Sequence, residues 1–209
     1  MTGKLYHLDH NLFMYFLIAF FILCSSNSYG DNMIIDDLNN SNNINENQDF
    51  CENSSTRWCF VTDKVMGGVS EGKLTLENDN NEKYYKMIGD ISTLNNGGFI
   101  QFRTKIKNHP SKTLYDGIRI KVRGNNETYA IHIRTKYLFL PWQYYQINFN
   151  ATKAWKVIEL PFEKFEKSNF YQPSVISSID IKTIGIVAIG REFKADIDLA
   201  FIELYKTNQ

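Results

Sequence analysis

The sequence predicts an all-β domain, a sandwich or jelly roll, carried behind an export segment. Three observations predict it. Short runs alternate apolar and polar residues at the period of a strand, and Gly, Asn and Asp punctuate them. From Trp58 onward only Pro161 to Lys167 (PFEKFEK) has helical character, too short to organise a domain. No repeat of fixed period is present, which excludes a solenoid or propeller. The chain has 209 residues, 43% of them hydrophobic, with 15 Phe and 12 Tyr, enough to fill a core.

The first element is the export segment. Leu12 to Cys24 (LFMYFLIAFFILC) is uncharged and mostly apolar. As a helix it spans ~20 Å, short of the ~30 Å hydrocarbon core of a bilayer. Ser28-Tyr29-Gly30 places small residues where a signal peptidase reads them, so residues 1–30 are expected to be a signal peptide cleaved after Gly30. The alternative is an uncleaved anchor, the one membrane contact expected. Leu23 ahead of Cys24 argues against a lipoprotein, and the lack of Arg together with Asp9 argues against a mitochondrial presequence. The expected location is the periplasm, or outside the cell through a secretory pathway.

Residues 31–52 follow, rich in Asn, with six acids and no base. Such a composition predicts a disordered linker, because it offers little apolar area against the entropy of ordering. Cys51 and Cys59 are eight positions apart. In an oxidising compartment they can close a small loop as a disulfide; two independent thiols are the alternative. The domain is expected over residues 53–209.

Within it the strands are read in order. In Phe99 to Lys107, Phe102, Thr104 and Ile106 share one face and Arg103, Lys105 and Lys107 the other. In Gly117 to Arg123, Ile118, Ile120 and Val122 face inward and Arg119, Lys121 and Arg123 outward. In Tyr129 to Arg134, Tyr129, Ile131 and Ile133 oppose Ala130, His132 and Arg134. Gly124-Asn125-Asn126 between the last two tolerates positive φ and suits a hairpin. Trp155 to Leu160 alternates imperfectly, Ile184 to Ile189 is continuously apolar as in a strand covered on both faces, and Phe193 to Leu204 closes the chain.

The residues offer no catalytic constellation. Gly-x-Ser-x-Gly, His-Glu-x-x-His and a phosphate-cradling Gly loop are all absent, so no catalytic residue and no cofactor is expected. Past the signal segment only His109 and His132 remain, neither at ligand spacing from a cysteine, so no metal site is expected. Asp196 and Asp198 share one face of a strand, the arrangement of a solvated surface more than of a glycosidase pair.

A family resemblance is carried by separated motifs: W-C-F-V-T-D-K-V-M-G-G-V-S from Trp58 to Ser70, L-N-N-G-G-F from Leu94 to Phe99, Tyr115-Asp116-Gly117, Val122-Arg123-Gly124, Trp155 leading into Leu160-Pro161-Phe162, and Ile184-Gly185-Ile186. In this order the set resembles the thirty-kilodalton complex I intermediate-associated protein family over residues 58–205. The resemblance implies a galactose-binding-like jelly roll. It also implies an assembly factor, since mitochondrial members hold membrane-arm intermediates of the respiratory NADH dehydrogenase, while related plant domains act with RNA. An export signal argues against both settings here. The family-motif residues are Asp63, Gly67, Gly68, Ser70, Gly97 and Gly98; of these Asp63, three residues before Met66-Gly67-Gly68, is expected to accept hydrogen bonds from turn amides in a bend that the glycines permit, with Ser70 capping the turn in the same way. The bend either only shapes the chain or borders a ligand or partner site.

Charge completes the reading. Lys+Arg and Asp+Glu are 23 each, which argues against nucleic acid or an anionic membrane held by bulk charge. The zero is a cancellation, because residues 101–136 hold nine bases and two acids. If the three strands in that block are neighbours, Arg103, Arg119, Lys121, Arg123, His132 and Arg134 make one basic face, followed by Trp142 and Tyr144. The face either solvates a sheet or recognises an anionic partner, and the acidic linker, long enough to reach it, would compete. Deleting residues 31–50 would then raise affinity. The expected function is an exported, non-enzymatic domain that holds a protein partner or complex. The alternative is a carbohydrate-binding module that stacks a sugar on Trp142, Tyr144 or Tyr145.

Overall fold

Alternation sets which side of each strand is apolar, and burying those sides against one another closes two sheets into a sandwich. The computed structural model describes residues 32–38, 57–79, 82–106 and 113–207, all within the unit Asp31–Gln209. The expected signal peptide and Cys51 lie outside the described residues.

Twelve strands occur among the described residues: β1 (Met33–Asp36), β2 (Cys59–Thr62), β3 (Glu71–Asp79), β4 (Glu82–Ile91), β5 (Phe99–Lys105), β6 (Gly117–Gly124), β7 (Glu127–Thr135), β8 (Tyr145–Ala151), β9 (Lys156–Pro161), β10 (Glu166–Lys167), β11 (Ile181–Ile189) and β12 (Phe193–Tyr205). The first sheet runs β3-β4-β12-β6-β9, with β1 also on β12; the second runs β10-β8-β7-β11-β5-β2. Every pairing is antiparallel. The fold is a jelly-roll β-sandwich.

The predicted inward residues meet in the core. Phe102, Ile118, Ile120, Val122, Tyr129, Ile131 and Ile133 are all buried, as are Thr104 and Ile106. Trp58 is buried among them, its ring 5.1 Å from Phe102 and its indole N–H donating to Asp36 at 2.8 Å. The helical expectation at Pro161 to Lys167 is replaced by a single 3-10 turn, Phe162–Lys164, followed by β10. Phe162 and Phe165 are both buried, so a turn that aims two rings at the core prevails over propensity.

Two expectations are corrected. Gly124-Asn125-Asn126 does not close a hairpin: β6 lies in the first sheet and β7 in the second, so this turn carries the chain across the sandwich. Asn126 does take the left-handed conformation, φ 65°, and the side-chain amide of Asn125 donates to the Lys194 carbonyl at 2.7 Å. A tight turn is thus legible in sequence, but whether its arms pair is not. Nor is all of 31–52 a linker. Met33, Ile34 and Asp36 pair with Leu204, Glu203 and Ile202, and Ile35 and Leu38 are buried. Four closely spaced apolar residues within the polar stretch, Met33, Ile34, Ile35 and Leu38, supply the area that the overall composition hides.

Candidate ligand-binding cleft

The Asp63 bend is built as a carboxylate hub. Asp63 opens a 3-10 turn, Asp63–Met66, and its side chain is wholly buried. Oδ1 accepts the Ser70 backbone N–H at 2.9 Å, and Oδ2 accepts the Ser70 hydroxyl at 2.5 Å and the backbone N–H groups of Gly98 at 2.6 Å and Phe99 at 3.3 Å. Burial pushes the Asp63 pKa up, but the Gly98 amide, the Ser70 hydroxyl and amide and the Phe99 amide together hold it below its ordinary value. A Cβ at Gly68 or Gly97 would fall on the Asp63 carboxyl, so only glycine lets those chains pass. Gly67 and Gly98 take φ of 92° and 123°. All six motif residues are therefore brought to one point, where they tie the turn after β2 to the loop before β5.

The bend also borders a cleft. Val65 and Met66, on the turn that Asp63 anchors, and Gly97 and Gly98 line one wall of a cavity of about 620 Å³ on the outer face of the second sheet. Gln101 and Arg103 of β5, Gly185 and Val187 of β11, and His132 and Arg134 of β7 form its floor. Pro141, Trp142 and Tyr144, from the loop between β7 and β8, form the opposite wall. Register sets the floor plan. Gly185 pairs with Arg103 on one side and His132 on the other, so a residue without a side chain sits between two long ones and leaves a trough. This explains the continuous apolar run of β11: Ile184, Ile186 and Ala188 enter the core, while Gly185, Val187 and Ile189 line the cleft.

Position of each wall is fixed locally. The Arg134 guanidinium donates to the carbonyls of Leu138 at 3.3 Å and Leu140 at 2.9 Å, holding the loop that carries Trp142. Tyr144 stacks on His132, ring centroids 3.9 Å apart and planes 10° from parallel, and His132 hydrogen-bonds Gln146 at 2.8 Å. Trp142 remains 60% exposed and Met66 65%. Burial drives the His132 pKa down to about 4 against a smaller opposing effect of Gln146, so the ring is neutral at physiological pH. An NMR titration of the His132 ring should have its midpoint near 4 rather than 6.5. Because the unfolded chain binds this proton more readily, His132 should cost stability as pH falls from about 6.5 towards about 4, and His132→Gln should remove that slope in urea unfolding.

The single basic face expected from sequence divides in two. Arg103, His132, Arg134, Trp142 and Tyr144 share the cleft, whereas Arg119, Lys121 and Arg123 stand on the outer face of the opposite sheet. There they are neutralised. Arg119 pairs with Glu159 at 2.8 Å and Glu203 at 2.5 Å, Lys121 with Glu82, and Arg123 with Asp198 at 2.7 Å. Arg123 also lies over the Trp155 and Tyr84 rings, at 4.6 and 4.9 Å. Asp196 and Asp198 both bind Lys86, at 2.5 and 3.2 Å. Their partners come from strands distant in sequence, so no local pattern reveals them. Arg123→Glu, which faces the nearly buried Asp198, should cost ~1–3 kcal/mol after allowance for the partial exposure of Arg123, read as a lower urea midpoint with cleft binding unchanged.

Among the described residues no cluster of three or more His, Cys, Asp or Glu can hold a metal ion. Cys59 is disulfide-bonded, and its expected partner Cys51 lies outside the described residues. Residues that sequence reasoning missed at the cleft are Val65, Met66, Gln101 and Gly185. Val65, Met66 and Gly185 stand inside the quoted motifs, but nothing local says that they line a cleft.

The class of protein is thus a jelly-roll β-sandwich with a cleft lined by aromatic, apolar and basic side chains on its second sheet. The chain belongs to the family described as Complex I intermediate-associated protein 30 (CIA30), whose profile matches residues 47–200. No curated protein sequence matches it. Among solved structures it is similar to a family 11 carbohydrate-binding module from Clostridium thermocellum in complex with a β-1,3-1,4-mixed-linked tetrasaccharide, with 12% identity over 85% of this chain and 97% of that one, TM-score 0.62. The family 11 module of the cellulosomal cellulase Lic26A-Cel5E of the same organism gives 12% identity over 87% and 98%, TM-score 0.63. At these identities the likeness establishes the fold.

Proposed function

We propose that the protein is an exported, non-enzymatic binding domain, that its ligand seat is the cleft on the second sheet, and that the ligand is a carbohydrate chain. One observation carries the reading: the exposed indole of Trp142 forms a wall of a cleft whose floor carries the side-chain amide of Gln101 and the guanidinium of Arg134. A flat ring for the apolar face of a sugar, beside fixed donors for its hydroxyls, is the chemistry of saccharide recognition. Structural likeness to a module described with a bound tetrasaccharide supports it.

Sugar titrations that quench Trp fluorescence test it. Trp142→Ala should weaken binding roughly tenfold or more, and an unchanged affinity would remove the cleft from the account. A second reading, a domain that holds a protein partner as the family description suggests, is favoured by exposed apolar side chains on loops next to the cleft, Phe139, Phe170, Tyr171 and Val175. Crosslinking in the native host with identification of captured proteins separates the two, and the mature N-terminus read in the same experiment tests cleavage after Gly30.

A further inference from the structure

Two loops at one end of the sandwich turn a polar side chain inward and apolar ones outward, the reverse of a solvated loop. The loop between β7 and β8 carries Phe139, and the loop between β10 and the 3-10 turn Ser178–Asp180 carries Phe170, Tyr171 and Val175. These four are 81 to 85% exposed, whereas Gln172 is buried. Both loops are tied down. The side-chain oxygen of Gln143 accepts the backbone N–H groups of Phe139 at 3.1 Å and Leu140 at 3.0 Å. Between the loops, the Tyr144 N–H donates to the Ser168 hydroxyl at 3.0 Å, the Gln172 side-chain amide to the Tyr144 carbonyl at 2.9 Å, and the Tyr145 hydroxyl to the Pro173 carbonyl at 2.9 Å. Bonds made behind the apolar tips thus hold them out in water, an unfavourable exposure that contact with an apolar phase would relieve.

The chain enters the domain at the same end. Asn32 accepts the Lys206 backbone N–H at 3.2 Å, just past β12, whose Tyr205 pairs with Gly117 at the start of β6. Tyr115, leading into β6, donates its N–H to the Ser178 hydroxyl at 3.0 Å, which ties this end of the first sheet to the turn closing the loop that carries Phe170. In sequence only residues 25–31 separate Asn32 from the apolar run Leu12 to Cys24, and a stretch of that length reaches at most about 30 Å. Retained as an anchor, that run would hold this end of the sandwich, and not the opposite end, against a bilayer.

The shape of the patch favours lipid over a folded partner. Phe170 and Tyr171 touch each other, ring centroids 5.5 Å apart and planes at 80°, yet both project into solvent. An anchor for a protein sits in a packed patch rimmed by further contacts, whereas acyl chains close around a projecting ring of any shape. Beside the rings the Lys167 ammonium lies 5.8 Å from the Phe170 centroid and donates to the Phe170 and Gln172 carbonyls, both at 3.3 Å. Rings flanked by a phenol and a long-stemmed cation match the boundary between hydrocarbon and headgroups. We infer that this end of the domain docks on a lipid bilayer, with Phe139, Phe170, Tyr171 and Val175 at the edge of the hydrocarbon and Lys167 among the headgroup phosphates. The docking is independent of the ligand in the cleft, and it gives the side chains that favour a protein partner a different occupant.

Vesicle flotation tests it, with the chain from residue 31, the compact unit Asp31–Gln209, so that the export segment makes no contribution. Vesicles of phosphatidylcholine alone, and of phosphatidylcholine with phosphatidylglycerol, are compared at low and at high salt. The domain should float with the neutral vesicles at both salt levels, since apolar burial is not screened. Phe139→Ser, and separately Phe170→Ser together with Tyr171→Ser, should each lower the partition coefficient about tenfold or more. Their urea midpoints should stay at the wild-type value because the replaced rings are exposed. Val157→Ser, on β9 of the first sheet, should leave partition unchanged. Absence of flotation, or flotation only with anionic vesicles at low salt, overturns the inference, as does partition that the ring variants leave intact. Without flotation, a concentration-dependent rise in mass that the double variant loses assigns the patch to a second copy, and a crosslinked protein that the double variant loses assigns it to a protein partner.

Discussion

Asp63→Ala is expected to lower the stability of the domain by ~3–5 kcal/mol, a large part of what a domain of this size has. The substitution strands the backbone N–H groups of Ser70, Gly98 and Phe99, now satisfied by a carboxylate that is itself fully buried, and leaves the Ser70 hydroxyl only the Ser92 carbonyl at 3.2 Å. Each unsatisfied buried donor costs ~1–3 kcal/mol, reduced where water enters the space left behind. Asp63→Asn keeps the shape but turns one acceptor into a donor, and should cost less, ~2–3 kcal/mol. The sign of the pH effect follows from the lowered carboxyl. Its folded pKa lies below the unfolded one, so its stabilisation is complete above the unfolded value and is lost as pH falls through the folded value. Urea midpoints across pH check both. A wild-type midpoint that declines on acidification no more steeply than that of Asp63→Asn would show that the hub does not titrate with folding.

Removing residues 31–38 is expected to destabilise the fold by roughly 3–6 kcal/mol, where a dispensable linker would give no change. Ile35 and Leu38 are buried, at 1% and 4% exposure, and are each worth ~1.5–3 kcal/mol against water. Asp36 accepts the Trp58 indole N–H and the Leu38 amide, and its loss leaves the Trp58 donor without that acceptor deep in the core. The edge of β12 that pairs with Met33 and Ile34 would also be opened. Comparing urea midpoints of chains that start at residue 31 and at residue 39 reads the effect. Ile35→Ala, at ~2–4 kcal/mol, separates the buried contact from the loss of the strand. If the shorter chain keeps its midpoint, β1 contributes nothing and the acidic segment returns to the part of a competitor for the cleft.

How much of the site was legible depends on how local its cause is. The Asp63–Ser70 turn was legible because its donors sit within a few residues of Asp63, whereas the Gly97 and Gly98 side of the hub, 35 positions away at Gly98, was not, because only the fold brings it there. The pairing of Arg119, Lys121 and Arg123 with Glu203, Glu82 and Asp198 was not, because those carboxylates arrive from β4 and β12, brought alongside by sheet order. A stripe of bases looks the same in sequence whether its neighbours neutralise it or not.

By itself the sequence determined the class of fold, the inward and outward faces of most strands and the local turn from Asp63 to Ser70, since each follows from a period of two or from contacts between near neighbours. Only the tertiary structure decided which outward faces lie together. The chain crosses from one sheet to the other at Asn125 and Asn126, so Arg119 and His132, on successive strands, end on opposite sides of the sandwich. Arg103 and Arg134, thirty-one positions apart, end in one cleft either side of β11. Sheet membership is set by burying both apolar faces at once, a condition on the whole chain that no single strand carries.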